Sequence, residues 1–373
     1  MDAKKYNRIK LWLDISGSVL FFVLLILIVL IDFSKSLENW LASFVNSDYL
    51  RFVLFVIIIS VLLSALTSPL NFYSGFILEH KYQLSNQTFG KYLIDKIKSL
   101  VISLLIGIPV LLLFYYLLKN FPDNWWLFFS VAMFFISVVL AQIFPILIFP
   151  LFFKLKPLED EYLVNELKDL ADKNEFKFSK IYSFDLSSKT KKANAALTGL
   201  GKTKKIILGD TLLNLFSVDE IKTVLAHEIG HYKLKHIPKN LLYGTAQSFL
   251  IFYLIAILYK NSLVFLGYNS VSQISAFPIL IIWGFLIGIL ITPISNYLSR
   301  KFEYEADKFA VKATQLPEAF KSALTKLFEK NLADKDPHPF VEWYFYSHPS
   351  YKKRIKSIDN YFYQKETIKE LGI

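Results

Sequence analysis

The sequence predicts a mostly α-helical protein that crosses a membrane several times and carries a small α+β portion outside it. Three observations lead there. The 373-residue chain is 54% hydrophobic with a mean hydropathy of +0.40, more apolar than a water-soluble domain of this size usually is. The apolar residues gather in six long runs. Polar sequence concentrates between the fourth and fifth runs and after the sixth, and His227-Glu228-Ile229-Gly230-His231 lies there in a helical pattern.

The first run, Leu11 to Ile31, follows the basic Lys4, Lys5, Arg8 and Lys10. It is too long for the apolar core of a cleaved signal, and Asp32-Phe-Ser-Lys offers no small-residue cleavage site, so it is read as a retained span. The others are about Phe52 to Leu70, Leu100 to Leu118, Trp125 to Phe153, Gln247 to Leu266 and Phe277 to Leu298. Pro145 and Pro150 predict a break or kink late in the fourth, and Lys260 with Asn261 shortens the fifth. The formal net charge of +11 comes mostly from alternate connections. Lys81, Lys91, Lys96 and Lys98, then Lys154, Lys156, Lys233 and Lys235, then Arg300 and Lys301 fall on the same side as the N-terminus. That pattern predicts that both termini and the two-histidine stretch face the cytoplasm, so the positive charge reads as membrane topology and no nucleic acid partner is expected. There is no cysteine, which excludes disulfides, thiol catalysis and cysteine-ligated metal.

Four segments result: 1–153 with four spans, 154–245 as a polar segment, 246–298 with two spans, and 299–373 as a second polar segment. In the first polar segment, Leu158 to Lys173 has helical periodicity and Phe178 to Asp185 alternates as a strand. Ala193 to Leu197 and Lys205 to Gly209 are expected to pair as a hairpin across 198–202. Ser217 and Glu220 fit a capping box, from which a helix is expected to run to Pro238.

On that helix His227 and His231, four residues apart, share a face and reach one ion. Glu228 is rotated by about 100° and can act on a water there, the zinc-peptidase arrangement. A third protein ligand is needed. The extended motif that supplies a later histidine fails, because Leu234 and Ile237 stand at its glycine and histidine positions. On a continuous helix His236 falls opposite His227 and is expected to face solvent or an interface. Glu303 and Asp307 share a face on a helix continuing from the sixth run, so one can ligate while the other accepts a ring N–H. Glu305 is expected to face away, and a charged surface helix following a span is the competing reading of the whole stretch.

With these motifs, several segments resemble the integral-membrane CAAX prenyl protease family, type 1. They are Glu79-His-Lys-Tyr-Gln-Leu-Ser-Asn-Gln-Thr, Pro150-Leu-Phe-Phe-Lys-Leu-Lys-Pro, Lys192-Ala-Asn-Ala-Ala-Leu-Thr-Gly-Leu-Gly and Ser347-His-Pro-Ser-Tyr. Ser188-Lys-Thr-Lys-Lys-Ala departs from the family's Ser-Lys-Arg-Ser-x-His. The resemblance implies a helical barrel enclosing a chamber, its membrane helices usually counted as seven against six here. It implies one Zn2+ per chain held by His227, His231 and Glu303, with Glu228 as general base and Asp307 orienting a ligating histidine. It further implies that substrate lies along an edge strand at Asn194 and Ala195, with His348 and Arg354 near the cleft, His348 assisting catalysis and Arg354 binding substrate.

The expected activity is hydrolysis of a peptide or protein substrate, after a C-terminal prenylated cysteine by resemblance. The expected setting is the inner (plasma) membrane of a bacterium, with the site on the cytoplasmic side. Two alternatives are a quality-control membrane metalloprotease and a transporter or receptor with an incidental histidine pair. Spans nearly free of charge weigh against the last.

Overall fold

The computed structural model describes residues 2–198 and 204–370, with side chains through Phe362. Among the described residues, six helices are long and apolar enough to cross a bilayer. They are Ala3–Leu30, Asp48–Lys81, Phe89–Asn120, Trp125–Phe152, His236–Phe265 and, for the sixth, Phe277–Thr314. Short polar residues set the first three starts: the side chains of Asp2, Ser47 and Thr88 accept from the backbone N–H three residues on. The fourth span breaks its α pattern as expected, in a π-helical turn at Phe144–Ile148 around Pro145. The second does the same at Tyr73–Ile77, shortly after Pro69. Lys260 and Asn261 do not end the fifth span, because the Lys260 ammonium reaches out to Asp123 Oδ1 at 2.8 Å.

No more than 39% of any span's most apolar stretch is buried inside the protein, so most of that surface needs lipid to cover it. The buried positions concentrate at one end of the helix ring. Leu25, Phe52, Phe55, Phe114, Trp125, Tyr259 and Ile279 form a single cluster there. An apolar cavity of about 440 Å³, lined among others by Phe21, Leu63, Leu111 and Phe277, adjoins it. The polar portion of the chain sits at the opposite end of the spans.

That portion is built on a four-stranded sheet of β1 (Leu155–Pro157), β2 (Lys180–Phe184), β3 (Ala195–Thr198) and β4 (Lys205–Gly209), in the order β1-β2-β4-β3. β2 and β4 run parallel, and β3 pairs antiparallel to β4 as the expected hairpin, whose turn lies outside the described residues. β3 therefore forms one edge. Helix Glu161–Lys173, capped by Asp160, covers the sheet through Leu167 and Leu170.

The motif helix spans Val218–Lys233. Its capping box forms as expected, with Ser217 N donating to Glu220 Oε2 at 2.7 Å and Glu220 N to Ser217 Oγ at 3.3 Å. Its far end differs from expectation. The helix stops at Lys233, Lys235 takes a left-handed conformation at φ 57°, and the fifth span starts at His236. Pro238 sits in the first turn of that next helix, where its missing N–H costs no hydrogen bond. The sixth span runs unbroken past the apolar stretch to Thr314 and so carries Glu303 and Asp307 on one face, as expected.

Candidate metal centre

Two helices meet to make the site, and a glycine lets them meet. A Cβ on Gly230 would lie 3.1 Å from Phe309 Cβ and 3.2 Å from Ala306 Cα, so only a residue without a side chain admits the sixth span this close to the motif helix. The approach puts Glu303 opposite His227 and His231. One ligand atom from each of the three lies within 4.8 Å of the others. His227 Nε2 and His231 Nε2 are 3.2 Å apart, and each is 3.4 Å from a Glu303 carboxylate oxygen.

Glu303 Oε2 is buried and accepts no aligned hydrogen bond among the described residues, although ring and guanidinium nitrogens of His227, His348 and Arg354 stand 3.0 to 3.8 Å away. Buried acceptors normally find donors. Lone pairs turned instead toward a common point are what a cation satisfies, and two imidazoles with one carboxylate are a donor set suited to a divalent metal.

Behind the histidines stands a layer of ion pairs. Asp307 Oδ1 is 2.9 Å from His227 Nδ1, which ties the ring's far nitrogen and leaves Nε2 facing the site. Arg354 grips the same carboxylate with two bonds, Nε to Oδ2 at 2.8 Å and Nη2 to Oδ1 at 2.5 Å. Both partners are buried, at 1% exposure for Asp307 and 7% for Arg354. Arg354 is thus buried beside the cluster, with Nε and Nη2 on Asp307 and Nη1 3.8 Å from Glu303 Oε2. For His227, burial pushes the ring's pKa down, but the Asp307 and Glu303 carboxylates outweigh it and hold it at about 9 without a metal. Glu228 is pushed up by burial and only partly pulled back by His227 and His231.

His348 is exposed, with Nδ1 3.0 Å from Glu303 Oε2. Its loop is pinned by Arg300, whose Nη1 donates to the carbonyls of Glu342, Trp343 and Tyr346 at 3.0, 3.2 and 2.6 Å. Sequence reasoning passed over Arg300, which looked like one more basic residue at a span end. Asn194 is exposed at the head of β3, and its Oδ1 accepts the Ala195 N–H at 2.9 Å. β3 packs beside the motif helix.

His236 corrects an expectation. It is 1% exposed rather than solvent-facing, with Nδ1 3.0 Å from His231 Nδ1 and Nε2 3.0 Å from Glu305 Oε2. Glu305, expected to face away, is turned to that contact. The prediction failed because it carried the helix through Lys235; no glycine or asparagine there signals the left-handed residue.

A multi-pass helical membrane protein with this constellation at the end of a span is a membrane metallopeptidase. The chain belongs to peptidase family M48, whose model matches residues 157–362, while residues 1–154 match that of the CAAX prenyl protease N-terminal region with five membrane helices. It is 32% identical to CAAX prenyl protease 1 of Saccharomyces cerevisiae over 96% of this chain and 85% of that one. It is 30% identical to the uncharacterized metalloprotease YhfN of Bacillus subtilis over 95% and 84%. The crystal structure of S. mikatae Ste24p superposes with a TM-score of 0.87 at 29% identity, covering 96% of this chain and 88% of that one.

Proposed function

We propose that the protein is a zinc endopeptidase in which His227, His231 and Glu303 hold the ion, Glu228 is the general base, and the substrate is a C-terminal peptide bearing a prenylated cysteine. The convergence of two imidazole nitrogens on the buried carboxylate of Glu303 carries the metal assignment. When bound, zinc supplies Lewis acidity, making water at the site more acidic and polarising the scissile carbonyl. Glu228 takes a proton from the attacking water and returns it to the leaving amine; burial shifts its pKa upward, which makes it a stronger base. The peptide backbone adds to the free edge of β3, displacing the Asn194 side chain from the Ala195 N–H. His348, exposed beside Glu303, donates to the developing oxyanion. Asp307 and Arg354 keep His227 aimed.

The prenylated substrate is supported by the CAAX prenyl protease relatives, and a bacterial plasma membrane by the Bacillus relative. The lysine and arginine distribution supports a site on the cytoplasmic face. The test is cleavage of a farnesylated CAAX peptide beside its unprenylated form, with and without chelator. Chelator-sensitive preference for the farnesylated peptide is expected, and equal cleavage of both would favour quality-control proteolysis. Glu228→Gln is expected to lower turnover by about 10²- to 10⁴-fold with zinc still bound; unchanged turnover removes Glu228 as the base.

A further inference from the structure

We propose that His236 and Glu305 form a relay that positions His231 for the metal, a role resting on the reading of His231 as a ligand. The proton positions follow from the distances. A histidine that ligates through Nε2 keeps that lone pair free, so its proton sits on Nδ1. His231 Nδ1 is 3.0 Å from His236 Nδ1, which must then be the acceptor. The His236 proton is thereby placed on Nε2, 3.0 Å from Glu305 Oε2, an acceptor only. Each nitrogen has one role and no proton is left over.

The arrangement parallels the other ligand. His227 has its outer nitrogen tied directly by Asp307, itself held by Arg354, whereas His231 reaches a carboxylate through one intervening imidazole. The left-handed Lys235 makes this possible, because it ends the motif helix and turns the first residue of the fifth span back under His231. The His236 ring is fully buried and stacked on Phe302 at 4.3 Å between centroids and 13° between planes, which fixes its orientation. What distinguishes His236 from a histidine that merely fills the helix junction is its partners: one nitrogen meets the ring of His231 and the other a carboxylate, in line with the metal site.

The test is metal affinity by chelator competition with Zn2+, together with the visible spectrum of the Co2+-loaded protein. Wild type, His236→Phe, His236→Gln and Glu305→Ala would be compared. His236→Phe keeps the stacking surface but cannot accept, and is expected to raise the Zn2+ dissociation constant about 10- to 100-fold and shift the Co2+ bands. His236→Gln, whose side-chain oxygen can accept the same N–H, should recover part of the affinity. Glu305→Ala changes a half-buried surface carboxylate and should weaken binding in the same direction by less. A folded His236→Phe with wild-type affinity overturns the relay. If that variant does not fold, by circular dichroism of the metal-free protein, unchanged affinity in Glu305→Ala overturns it instead. Wild-type protein that binds no Zn2+ would overturn the metal-centre reading and not the relay alone.

Discussion

Replacing Gly230 with alanine sets two opposed effects against each other. In a helix interior, alanine is favoured over glycine by about 1 kcal/mol. The new methyl group, however, would stand 3.1 Å from Phe309 Cβ and 3.2 Å from Ala306 Cα, atoms fixed to the backbone of the sixth span. No side-chain rotation relieves such contacts, so the two helices must separate by a few tenths of an ångström. Overpacking of this kind costs about 1–3 kcal/mol, and a site against backbone belongs in the upper half of that range. The net expectation is a loss of about 1–2 kcal/mol. A larger effect falls on the metal, because the same separation moves Glu303 from His227 and His231 and metal–ligand distances tolerate only about 0.2 Å. The assay is thermal unfolding of metal-free protein in detergent, paired with Zn2+ affinity by chelator competition. Gly90→Ala is the control: nothing lies within 4 Å of its added methyl, and it should be neutral or slightly stabilising. Unchanged stability and affinity in Gly230→Ala would refute the close-approach argument.

Two further predictions follow from the layer behind the ligands. Arg354→Met leaves the 1% exposed Asp307 carboxylate with His227 as its remaining partner and should destabilise the protein by about 3 kcal/mol, the low end for a broken buried ion pair, with Arg354→Met/Asp307→Asn losing less; a wild-type unfolding temperature in the single variant would show that Arg354 does not hold this charge. In metal-free protein the raised His227 pKa adds stability that is fully present below about 6.5 and lost as pH rises through about 9. Zinc must displace that proton, so affinity should rise about tenfold per pH unit between 7 and 8.5, with proton release detectable by titration calorimetry in buffers of different ionisation heat. A flat affinity profile would mean that His227 is already neutral there.

The parts of this protein legible in the sequence are those decided over short stretches of chain. A run such as Leu11 to Ile31 must leave water whatever its neighbours do, and the six apolar runs therefore appear as six helices. Ser217 with Glu220 is a local hydrogen-bond exchange, and it forms where the spacing predicts it. The four-residue spacings of His227 with His231 and of Glu303 with Asp307 place each pair on one helix face by geometry alone.

What lies between elements was decided by tertiary structure. The closeness of the motif helix to the sixth span depends on Gly230 meeting Ala306, positions 76 residues apart in sequence with no local signature of the meeting. The pairing of Arg354 with Asp307, 47 residues away, likewise has no local signature. His236 was misplaced because a single left-handed backbone at Lys235 redirects the chain. Such a backbone is strained for lysine, and the packing of the His236 ring on Phe302 that accompanies it is encoded by no local propensity. Local stretches of chain specify the helices and the chemistry of their faces; which faces meet depends on contacts between segments far apart along it.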